Sequence, residues 1–181
     1  MRLTFEGPPA YGLGPDPDLG LWLEQWGEYA DRIVHLGVDD GRGHGQLCWD
    51  VLAPTGLLAA HCGQCEHGHG GPRSPGQLES ALRRRIPPDE VTPWVAATLI
   101  RDLVYRSGGD GSMRPVAEAI AGALAALLGP DAHWRANGFA AYREGAEGNV
   151  SWSPVTEATF DAAVVGIGNG RAVVIVATGE D

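Results

Sequence analysis

Near the C-terminus two apolar runs, Ala162 to Ile167 and Arg171 to Ala177, flank the dipeptide Asn169-Gly170. No other feature restricts the fold of this chain as tightly. A two-residue turn requires positive φ at both central positions, and Asn-Gly supplies them at little cost. Both arms are apolar at successive positions, so neither face of the hairpin can stand in water and each must be covered. The pair therefore belongs in the middle of a sheet. The expectation is an α+β fold: an antiparallel sheet with a central C-terminal β-hairpin, covered by about four helices.

The remaining elements are read from periodicity and punctuation. Arg2 to Phe5 alternates as a short strand does. Asp16-Pro17 reads as a helix start, followed by Leu19, Trp22, Leu23, Trp26, Ala30 and Ile33 on one stripe, with Gly37 as a left-handed cap. Gln46 to Leu52 and Leu57 to His61 read as two strands around Pro54-Thr55-Gly56. Ser74, Pro75 and Gln77 form a capped start for a helix to about Arg85, which would place Arg83-Arg84-Arg85 at its C-terminal end, beside the dipole. Thr92-Pro93 opens another helix, to about Arg106. Ser112 caps a fourth, which runs to Gly129-Pro130 and carries Glu118 as its only charge after Val116. A helix so apolar predicts burial all round. Val150 and Trp152 suggest a short strand ended by Pro154. With no internal repeat and no linker, residues 1–181 read as one α+β domain that contains a Cys/His/Gly-rich lobe at 38–74.

That lobe holds all three cysteines and four of the six histidines. Thiolate and imidazole are preferred zinc ligands, so Cys62, Cys65, His67 and His69 are candidate ligands. Four ligands within eight residues leave little chain between the two halves, and a distal partner such as Cys48 or His44 makes the site easier to close. Three alternatives stay open beside structural zinc: a metal-free loop of buried thiols and solvated imidazoles, a redox dithiol at Cys62 and Cys65, and a catalytic zinc with Glu66 as base.

Thirteen basic residues, all of them arginine, oppose 23 acidic ones, for a net charge of -10. Nucleic-acid binding by bulk electrostatics is disfavoured, and basic partners are favoured. The acidic side chains Asp16, Asp18, Glu24, Glu28, Asp39 and Asp40 concentrate in the first 40 residues, which makes that region the candidate partner-binding surface. No apolar run reaches the roughly 20 residues of a membrane span, and Met1 to Pro9 lacks the apolar segment of a secretory signal. The expectation is a cytoplasmic protein without membrane or nucleic-acid partners. The glycines at 166, 168 and 170 lead into a strand rather than a helix, so they are no phosphate loop. A nucleophile-elbow motif is absent, and without lysine there is no Walker-type site.

The final third, with Trp152-Ser153-Pro154-Val155-Thr156, Thr159-Phe160-Asp161, the apolar hairpin and Gly179-Glu180-Asp181, resembles the ends of small acidic immunity proteins of bacterial polymorphic toxin systems. The resemblance covers about 30 residues, and the Cys/His lobe is no part of it. It implies a non-catalytic binder that neutralises a cognate toxin. Many toxin domains that attack nucleic acids are basic, and an acidic neutraliser gains on-rate from that contrast. A zinc-dependent or zinc-stabilised protein built on residues 61–69 is the competing reading.

Overall fold

The computed structural model describes residues 2–5, 32–58, 71–100, 103, 113–138 and 152–179. Within them the chain is α+β. Strands β1 (Arg2–Phe5) and β2 (Arg32–Val38) lead to helices α1 (His44–Leu52) and α2 (Pro75–Ala81). Strand β3 (Arg84–Ile86) and helices α3 (Val91–Ile100) and α4 (Arg114–Leu128) follow. Strands β4 (His133–Ala136), β5 (Phe160–Gly168) and β6 (Arg171–Gly179) close the order. The strands lie side by side as β1-β2-β6-β5-β4-β3. Five of them pair antiparallel, and β1 joins β2 in parallel.

β5 and β6 occupy the centre of the sheet, joined by Asn169 at φ 49° and Gly170 at φ 67°. Two consecutive left-handed residues match the twist of the flanking strands. Their alternation splits the core in two. Val164, Val173 and Ile175 face α3 and α4, where Trp94, Val95, Leu99, Ile120, Leu124 and Leu128 cover them. Ala163, Val165, Val174 and Val176 face α1 and α2, under Leu47, Cys48, Leu52, Leu78 and Leu82. Each fully buried aliphatic side chain of this kind stabilises the fold by about 1.5–3 kcal/mol.

Close approach decides several positions. A Cβ on Gly166 would lie 2.6 Å from the Trp134 ring and 2.7 Å from Leu128, so glycine makes room for the Trp134 ring and α4 over β5. One on Gly45 would lie 2.4 Å from the backbone nitrogen of Glu79, so Gly45 sets how closely α1 and α2 cross. At α2 the cap forms as its sequence suggests. Ser74 Oγ accepts the Gln77 N–H at 3.3 Å, and Gln77 Oε1 reaches back to the Arg73 N–H at 2.6 Å.

Four expectations are corrected. Gln46–Leu52 belongs to a helix, not a strand: Leu47, Cys48 and Leu52 share its buried face, and Gln46 donates to Asp50 one turn on. Arg84–Ile86 is a strand rather than a helix end, because α2 stops at Ala81 and Ile86 enters the core opposite Trp134. Ile33 and Gly37 lie inside β2 rather than at a helix terminus; Ile33 and Val34 enter opposite cores, as period-two alternation requires. Helix α4 is buried on one face only. Ala119 and Ala126 are exposed, since a stripe of small residues gives the opposite side little apolar area to hide.

Candidate functional site

The turn at Asn169-Gly170 marks one end of the sheet, and register places three loops there. Val38 is opposite Arg171, Gly168 is opposite Arg171, and His133 is opposite Ile167. The loop after β2, the hairpin turn and the α4–β4 connection at Gly129–Ala132 therefore emerge together. Backbone and side-chain bonds tie them to one another. The Asp39 N–H donates to the Gly170 carbonyl at 3.0 Å, Asn169 Nδ2 to the Leu127 carbonyl at 3.4 Å, and His44 Nε2 to the His133 carbonyl at 3.1 Å.

Asp39 and Asp40 sit on this rim. Asp39 Oδ1 accepts the Gly41 N–H at 2.9 Å, and the left-handed Gly41 completes the turn. Asp40 Oδ1 accepts both the backbone N–H and Nε of Arg42, at 3.3 and 2.6 Å. Arg42 Nη1 then reaches Asp50 on α1 at 2.6 Å, and Gln46 holds the other Asp50 oxygen at 2.7 Å. The Arg42 guanidinium keeps the Asp40 carboxyl below the usual aspartate range, and Asp40 and Asp50 raise Arg42 in return. At their exposures these pairs contribute little stability; what they supply is a fixed loop shape. Val38 beside them is 52% exposed, the sole large hydrophobic residue so placed among the described residues. The exposed Asp131 lies on the adjoining loop.

A second polar cluster locks α1 and α2 to β4. Glu79 Oε2 accepts the Gly45 N–H at 2.6 Å, in the first turn of α1, where a carboxylate satisfies an unpaired helix donor. Its other oxygen pairs with Arg135 at 2.7 Å. Burial holds the His44 imidazole below its ordinary pKa and therefore neutral at pH 7.

The third cluster is wholly internal. Asp161, fully buried at the start of β5, receives four hydrogen bonds: the N–H groups of Val155 and Thr156 and the Thr156 hydroxyl on Oδ2, and Asn137 Nδ2 on Oδ1, all within 2.7–2.9 Å. Asn137 also accepts the Ala163 N–H and donates to the Ser153 carbonyl. Burial pushes the Asp161 carboxyl up to about 6 against the pull of those bonds. The cluster fastens residues 153–157 across the sheet. At that strap Glu157 N–H meets the Leu57 carbonyl, and Gly71 packs against Thr156. No composition or spacing rule announces this carboxylate; its signal is one acid opening an otherwise apolar strand.

The half-buried Asp39 and the exposed Asp40 are thus brought together on the rim, whereas Asp16, Asp18, Glu24 and Glu28 lie outside the described residues. Cys62, Cys65, His67 and His69 lie outside them too. Cys48 stands in the core under α1, fully buried among Leu47, Leu52 and Leu78. Burial, aided by the Asp161 charge, pushes its thiol up to about 12. That is the setting of a small core hydrophobe. Among the described residues no three His, Cys, Asp or Glu side chains converge as metal ligands, and no helix is long and apolar enough to cross a membrane. A shallow cavity of about 420 Å³ is lined by Pro72, Arg73, Gln77, Ser80, Ser153 and Pro154. No family model, curated protein or solved structure matches the chain.

Proposed function

We propose that the chain is a non-catalytic binding protein of the immunity type, which neutralises a cognate bacterial toxin by docking an acidic, preformed surface onto a basic toxin domain. The observation that carries the reading is the rim at the turn end of the sheet. There Val38 at the end of β2, with Asp39 and Asp40 on the loop after it, is fastened to the hairpin turn and to α1. A surface already in its bound shape loses little conformational entropy on association. An exposed apolar side chain beside carboxylates offers both a desolvated anchor and long-range attraction. The net charge of -10 extends that attraction beyond the contact itself. The resemblance of the C-terminal segment to immunity proteins points the same way.

Expression together with the toxin encoded beside its gene should restore growth, and the two proteins should co-elute on gel filtration. Failure of both contradicts the reading. Elemental analysis of the purified protein separates it from the metal-dependent alternative. One tightly held zinc per chain, together with turnover lost on chelation, favours an enzyme built on residues 61–69.

A further inference from the structure

We infer that strand β3 is a second docking edge, which takes an extended acidic segment of a partner protein by strand addition. β3 ends the strand order on its side of the sheet among the described residues. Arg83, Arg84 and Arg85 are all exposed there. In a chain with ten more acids than bases, no carboxylate among the described residues lies within ion-pair distance of any of the three. Consecutive strand residues point to opposite faces, so the run straddles the edge. Arg84 lies on the α3 face, its guanidinium 5.1 Å from the centroid of the Trp94 ring, which holds it in place. Arg85 lies on the α2 face, opposite Arg135, whose own charge is already engaged by Glu79.

A segment with carboxylates at successive positions, laid along this edge, would meet a guanidinium on each face, while its backbone pairs with that of β3. The same charges argue against a second copy of this chain as the occupant, because β3 against β3 would set arginine against arginine. With three residues in the strand and Pro87 following, the recognised motif is short. This edge is distinct from the Val38–Asp40 rim and has the opposite charge, so it selects a different partner or a different segment of the same one.

Fluorescence anisotropy of the full chain with a labelled hexapeptide, Thr-Glu-Glu-Glu-Val-Thr, tests the inference. Saturable binding is expected, and it should weaken as salt rises from about 0.05 to 0.3 M. Replacing the glutamates by glutamine, or making the Arg83→Ser/Arg85→Ser variant, should weaken it roughly tenfold. The unfolding temperature of that variant should be unchanged or slightly higher, because Arg85 no longer faces Arg135. N-methylation of two consecutive central glutamate amides, one of which must face β3, should abolish binding, while Asp39→Asn/Asp40→Asn should leave it intact. Absence of saturable binding, equal binding of the glutamine peptide, equal binding by the arginine variant, or indifference to N-methylation would each overturn the inference. None of these outcomes bears on the acidic rim.

Discussion

Asp161 is where this structure places most at stake on a single side chain. Its two oxygens take four donors in a site without water contact. An amide in its place keeps one acceptor and turns a donor toward either Asn137 or the 155–156 backbone, which leaves buried donors unpaired. The pH dependence follows from the raised pKa. The folded state binds this proton more tightly than the unfolded state, at about 6 against 3.8. The group's contribution to stability is therefore full below pH 3.8 and is lost as pH rises through 6. The stability gap between the wild type and Asp161→Asn, from urea unfolding at a series of pH values, should widen by on the order of 3 kcal/mol between pH 7.5 and 4. A gap independent of pH contradicts this. His44 works in the opposite direction. Its depressed pKa gives stability that is present above 6.5 and falls away on acidification, and taking the difference against the Asp161 variant cancels it. Cys48 supplies a simpler comparison. Cys48→Ser buries a hydroxyl in an apolar cluster and should cost about 1–3 kcal/mol, more than Cys48→Ala; the reverse order in urea unfolding would argue for a polar environment.

Among the elements, the hairpin and α4 were the most legible, for reasons that are local. Asn169-Gly170 dictates its own turn, the flanking apolar runs exclude solvent from both faces, and α4 is bracketed by Pro115 and by Gly129 at φ 80°. The misread segments are short, and tertiary contacts decided them. Residues 46–52 place apolar groups where either a strand or a helix would accept them; α1 wins because its Leu47, Cys48 and Leu52 face fits over β5 and β6 while Gly45 lets α2 close against it. Arg84–Ile86 contains nothing that favours a strand beyond Ile86, and its place beside β4 is set by long-range pairing. Of the candidate site, Asp39 and Asp40 were readable as acids on a glycine-rich loop. Their fastening to Gly170 and Asp50 was not, because it joins residues far apart in sequence. Two substitutions test these element-level claims. Gly45→Ala forces a Cβ into the α2 backbone and should destabilise by about 1–3 kcal/mol. Gly170→Ala has open space around it but keeps a positive φ, so it should cost only about 1 kcal/mol. Equal effects on the unfolding midpoint would mean that the crossing of α1 and α2 is looser than described.

For the molecule as a whole, helices cover both faces of the central strands β5 and β6. Buried polar groups such as Asp161 and Asn137 fasten the strap at 153–157, while among the described residues Asp39, Asp40 and Asp131 lie at the turn end and Arg83, Arg84 and Arg85 at the β3 edge. The central claim is that charge and preformed shape at the turn end capture a basic partner. The most direct test is the association rate of the chain with the proposed toxin partner, measured by stopped flow for the wild type and for Asp39→Asn/Asp40→Asn, across a range of salt concentrations. Both asparagines keep the side-chain oxygens that shape the loop. The account predicts a wild-type rate that falls steeply with salt, and a variant several-fold slower at low salt that converges on the wild type as screening increases. Equal rates with equal salt dependence for the two proteins would contradict it.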